Sequence, residues 1–114
     1  MPMIIVDTPI SLPDLKVIAE SRFGNLVKAV VDIERNIMAL DGELHADEEA
    51  LLLENGSHQE NLWGINLYPD IQGLDWIEFD SVINIRPSQG NASRSVDDQA
   101  IREMIILIVG GLVK

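Results

Sequence analysis

The chain has 114 residues, no cysteine and a net charge of −11, from 19 Asp and Glu against 8 Lys and Arg. One domain of that length buries its own core without covalent staples, and the missing thiols exclude disulfides, thiolate metal sites and thiol nucleophiles. The charge repels phosphate backbones and anionic membranes, so neither nucleic acid nor membrane is an expected partner.

Met3 to Val6 is a short apolar run bounded by Asp7 and Pro9, and reads as an edge or leading strand. Ser11 is placed to cap a helix with Pro13 and Asp14 in its first turn. Leu12, Leu15, Ile18, Ala19 and Phe23 recur at helical spacing, and Gly24-Asn25 stops the run. Leu26 to Glu34 alternates as a half-buried strand. Glu34-Arg35-Asn36 turns the chain into a second strand, Ile37 to Leu40, which ends at Asp41-Gly42.

Ala46 to Glu54 is a short helix whose acidic start suits the helix dipole. Asn61 to Tyr68 is a strand with Trp63, Ile65 and Leu67 on one face. Trp76 to Arg86 alternates over eleven positions and reads as the longest strand. Pro87 to Arg94 is a polar loop, and Ser95 is expected to cap a last helix running to about Val113. That helix carries an apolar stripe of Ile101, Met104, Ile105, Ile108 and Leu112, with Ile106, Leu107 and Val109 pointing elsewhere. A helix apolar nearly all round is buried on more than one side. A second subunit and the N-terminal strand compete for the spare face.

This order predicts an α+β fold: a single two-layer domain over residues 1–114. Its sheet is mainly antiparallel, its N-terminal and C-terminal helices share one face, and a short third helix completes it. The N-terminus lacks the charge and apolar pattern of a signal peptide, and Met104 to Val113 is too short to span a bilayer. A cytoplasmic protein is expected.

Polar chemistry gathers in two places. The segment from Glu43 to Asn61 holds both histidines, and His45, Asp47, His58 and Glu60 form a candidate divalent-metal set. Their spacing matches no metal motif, and an acidic helix start with solvated histidines explains the same residues. The second place is the loop entering the last helix, where Asn84, Arg86, Ser88, Gln89, Asn91 and Arg94 form a candidate ligand site. Two arginines bracketing a helix entry suit an anion or carboxylate, although arginines in an acidic chain also pair with internal carboxylates. The sheet face opposite the core carries Lys28, Asp32, Glu34, Asn66, Glu78, Asp80, Asn84 and Arg86. Solvent exposure or the floor of a cleft accounts for it equally. P-loop, nucleophile-elbow and dinucleotide signatures are absent.

The blocks Val30-Val31-Asp32-Ile33-Glu34-Arg35, Gly42-Glu43-Leu44-His45-Ala46-Asp47, Glu60-Asn61-Leu62-Trp63-Gly64-Ile65-Asn66 and Ile83-Asn84-Ile85-Arg86-Pro87-Ser88-Gln89-Gly90-Asn91 resemble a family of small prokaryotic proteins of unknown function. The resemblance runs from about Ser11 to the end. It implies a standalone protein and carries no activity, ligand or catalytic residue.

The leading expectation is a small ligand-binding or regulatory protein, expected as a homodimer, with its site around His45, Arg86 and the loop to Arg94. The alternatives are a metal-assisted hydrolase using His45, Asp47, His58 and Glu60, and a protein-partner module acting through the apolar last helix. Whether the chain is an enzyme is left open.

Overall fold

The computed structural model describes residues 2–114. Five strands form one antiparallel sheet: β1 (Ile4–Val6), β2 (Val27–Asp32), β3 (Ile37–Leu40), β4 (Leu62–Leu67) and β5 (Ile77–Glu78). Their order is β1-β3-β2-β4-β5. Three helices accompany them: α1 (Leu12–Arg22), α2 (His45–Glu54) and α3 (Gln99–Leu112).

The β2–β3 hairpin is closed by Asp32. Its Oδ1 accepts the Glu34 and Arg35 amides at 2.9 and 3.0 Å, and Asn36 takes the left-handed conformation (φ 57°) that asparagine tolerates. The other Asp32 oxygen accepts Ser57 Oγ at 2.6 Å, tying the hairpin to the end of α2. α1 starts as expected, with Ser11 Oγ accepting the Asp14 amide at 3.1 Å. It ends as the Gly24 amide bonds back to the Ala19 carbonyl at 2.7 Å, with Gly24 at φ 94°.

The period-two pattern of β2 sorts its residues. Val27, Ala29 and Val31 face the main core, with Met38, Trp63, Ile65 and the inner faces of α1 and α3. The first and last helices therefore do share one face. On the other face Val30, Ile37, Ala39 and Leu62 pack under Leu52 of α2 with Ile83, so the third helix adds a partial layer there. Among the described residues no helix is long and apolar enough to cross a membrane.

Two boundaries and one helix face differ from the expectation. The long strand over Trp76–Arg86 is cut to Ile77–Glu78, and the chain then turns into a 3-10 turn at Val82–Asn84. The reason lies on β4, where the Asn84 side chain replaces the missing strand backbone. Its Oδ1 accepts the Gly64 amide at 2.8 Å and its Nδ2 donates to the Gly64 carbonyl at 2.9 Å. Ser81 lies so close to this point that a Cβ on Gly64 would sit 2.6 Å from the Ser81 Cβ. Only glycine admits that approach.

The cap of α3 is Asp98, whose Oδ1 accepts the Ala100 amide at 2.8 Å. Ser95 instead accepts a hydrogen bond from the Arg102 guanidinium at 2.5 Å. The chain must stay non-helical through Val96 because that side chain, fully buried, plugs the main core. The stripe of α3 is also rolled from the expected one. Ile105, Val109 and Leu112 are buried, whereas Met104 is 41% exposed and Leu107 is 77% exposed. Arg102 sets the roll: its guanidinium stacks 4.6 Å from the Phe79 ring centre while Nε donates to the Val96 carbonyl.

Candidate functional site

The loop from Asp80 to Asp98 is held by its own polar side chains. Buried Asn91 donates to the carbonyls of Asn84, Ser93 and Ser95 and accepts the Asp97 amide. Asn84 adds a bond to the Arg94 carbonyl at 3.0 Å. Arg86 stacks 4.2 Å from the Trp63 ring centre and donates to the carbonyls of Gln59 and Leu62 and to Gln89 Oε1. Burial lowers its pKa, opposed by the charge of Glu49. Gln89 bonds the Glu60 carbonyl at 3.1 Å, and Ser88 is exposed on the turn. Asn84, Arg86, Gln89 and Asn91 are thus spent on architecture, and the helix entry expected behind them is displaced to Asp98. Of the six candidate ligand residues, Arg94 faces a hollow.

That hollow, about 210 Å³, is lined by Lys28, Leu44, His45, Ala46, Ser81 and Arg94, with Val82 and Ile83 completing the wall. Three elements build it. Alternation along β2 puts Lys28 on the α2 side with Val30. α2 begins after Leu44, which has no side chain able to cap it, so no cap hydrogen bond forms. Only from Asp47 onward do the amides find the Leu44 carbonyl, which leaves those of His45 and Ala46 unpaired at the positive end of the helix. Ser81, nearly sealed at 1% exposure, accepts the Ile83 amide. Arg94 gives Nε to Asp80 at 2.7 Å, and its side chain is 55% exposed. Lys28 lies 5.1 Å from the Phe23 ring centre and, among the described residues, forms no ion pair.

His45 forms the inner wall and is 9% exposed. Nε2 lies 2.8 Å from the Ile65 carbonyl. A carbonyl only accepts, so Nε2 carries the hydrogen and Nδ1 the lone pair. Burial is the largest influence on this ring and lowers its pKa; the Ile65 bond and Asp80 oppose the shift, and Lys28 and Arg94 add to it.

The opposite flank of the α2 N-terminus is acidic. Arg22 Nε meets Asp41 Oδ1 at 2.8 Å and Nη1 meets Glu43 at 3.5 Å, beside a hollow of about 330 Å³ that Asp47 also lines. Glu48 lies fully buried behind Gly42, accepting its amide at 3.0 Å through Oε2, while Oε1 has no partner. Desolvation raises its pKa to about 9, so it stands as a neutral acid. The expected acidic helix start is present, with Asp47 exposed and Glu48 buried, whereas His45, expected as a solvated histidine, is buried.

The candidate metal set is dispersed. His45 starts α2 and His58 lies beyond its far end, and ten helical residues span roughly 15 Å. Asp47 faces the Arg22 side and Glu60 is exposed in the turn before β4. Among the described residues no three His, Cys, Asp or Glu come close enough to hold a metal ion.

A larger hollow, about 400 Å³, lies between Leu12, Trp76 and Lys114. Its Lys16 and Asp70 pair across solvent at 3.4 Å. The His45 hollow is smaller and chemically more pointed. Sequence reasoning placed Lys28 on the sheet face that a cleft could use but not in the candidate site, and it did not place Ser81 there at all. Lys28 was detectable, as the one basic residue within a strand among the described residues, whereas no local signal announces Ser81.

Fold and site together define a small α+β protein with helices on both faces of an antiparallel sheet and a cation-lined hollow at a helix start. The family model described as "Protein of unknown function (DUF5674)" matches residues 4–112, and the chain belongs to that family. Nothing among curated proteins or solved structures matches it.

Proposed function

We propose that this protein is a binding or regulatory module that takes a small anionic ligand in the hollow between the α2 N-terminus and Arg94. The observation that carries it is convergence of positive groups in a chain of charge −11. Two of its 8 Lys and Arg, and two unpaired amides at the positive end of a helix, surround one small hollow. The test is titration of inorganic phosphate or malonate into isotope-labelled protein, following the His45 and Ala46 amide resonances. Lys28→Gln and Arg94→Gln should each weaken binding about tenfold. Absence of any shift at these amides with millimolar anion overturns the reading.

A second reading concerns assembly. Met104, Leu107, Ile108 and Gly111 form an uncharged strip along α3, and Leu107 projects beside a hollow of about 320 Å³ lined by Ile108 and Gly111. A projection beside a hollow on one strip is self-complementary under a two-fold axis, which favours a homodimer. A monomeric mass at micromolar concentration in native mass spectrometry overturns it.

A further inference from the structure

The ligand's own hydrogen is the further issue, and it rests on the anion reading above. The hollow offers donors on one side: the Arg94 guanidinium, the Lys28 ammonium, and the amides of His45 and Ala46. These suit any small oxyanion. His45 offers the opposite. Its Nε2 hydrogen is committed to the Ile65 carbonyl, so Nδ1 presents a lone pair. Nδ1 has no partner in the protein and is not among the sealed polar atoms, although the residue is nine-tenths buried. It therefore opens onto the hollow that His45 lines. An oxyanion with no hydrogen sets an oxygen lone pair against this nitrogen lone pair and gains nothing. An oxyanion with an O–H donates to it and satisfies it. The same logic rejects ligands lacking a hydrogen that a buried group requires.

We propose that the site selects a small oxyanion carrying its own O–H group, with hydrogenphosphate as the fitting case, and that His45 Nδ1 is the acceptor that reads that hydrogen. Hydrogenphosphate and sulfate are both dianions of similar size near pH 8. A phosphomonoester dianion at that pH has lost its P–O–H. Charge is thereby held constant across the three, and size across phosphate and sulfate, while the hydrogen varies.

The experiment measures binding of inorganic phosphate, sulfate and methyl phosphate to the full chain at about pH 8, by calorimetry and by the His45 and Ala46 amide shifts. Phosphate should bind about tenfold or more tightly than the other two. In His45→Leu, with folding checked by circular dichroism, phosphate should fall to the level of sulfate. The ligand series on the unaltered protein decides the matter if that variant fails to fold. Equal binding of phosphate and sulfate overturns the selectivity while leaving an anion site. Binding of neither overturns the anion reading itself.

Discussion

Glu48 makes the fold sensitive to alkali, and the effect has a definite size. Its carboxyl is fully buried, and desolvation holds its pKa at about 9 against an ordinary 4.5. Between those values the folded protein keeps a proton that the unfolded chain has released. The Glu48 contribution to stability is therefore complete below pH 4.5 and is lost as pH rises through 9. Each pH unit in the window costs about 1.4 kcal/mol, so raising the pH from about 7 to 8.5 should remove about 2 kcal/mol. Glu48→Gln keeps an oxygen for the Gly42 amide and carries no ionisable proton, so its stability should be flat over the same interval. Urea unfolding followed by the fluorescence of buried Trp63 reads both proteins. Equal stability of the native sequence at the two pH values refutes the reasoning, as does an identical slope in Glu48→Gln.

Three further outcomes follow from the same geometry. Asn84→Ala leaves the Gly64 amide and carbonyl unpaired in a dry environment, and should lower stability by about 3 kcal/mol in thermal or urea unfolding. Gly64→Ala forces a Cβ against Ser81 and should cost about 2 kcal/mol, with Ser81→Gly restoring part of it in a double-mutant cycle. His45, with its pKa lowered by burial, should still be neutral in an NMR titration at pH 6.5. Because the unfolded chain takes up that proton first, the His45 contribution is complete above pH 6.5 and is lost on acidification through the lowered value.

The Val27–Leu40 hairpin was legible because strict alternation met a turn of residues that tolerate its backbone. Ser11 was legible because one side chain satisfies one local amide. The failures share a cause: contacts made at long sequence separation. Trp76–Arg86 alternates like a strand, but Asn84 satisfies Gly64, twenty positions away, and the strand is no longer required. Three residues before α3 are able caps, and the choice among Ser95, Asp97 and Asp98 is made by Val96 seeking the core. In the candidate site His45 and Arg94 were singled out and do share a hollow. Arg86 was singled out for its charge, and its use as a clamp on two carbonyls depends on a turn at Gln59–Asn61 that no local pattern connects to it.

The start of α2 explains how one acidic protein supports two opposite electrostatic environments a few residues apart. The helix dipole offers partial positive charge to both flanks. On the Arg22 flank, Asp41, Glu43 and Asp47 already answer it, and Arg22 is in turn held charged chiefly by its bond to Asp41. On the Arg94 flank the neighbouring Asp80 is paired with Arg94 itself, and Glu48, which shares the inner face of the helix with His45, has given up its charge. A charged Glu48 would partly cancel Lys28; a neutral one leaves that charge available to an anion. The protonation of Glu48 and the anion affinity of the hollow are thus linked, and Glu48→Gln should preserve binding at alkaline pH where the native sequence begins to lose it.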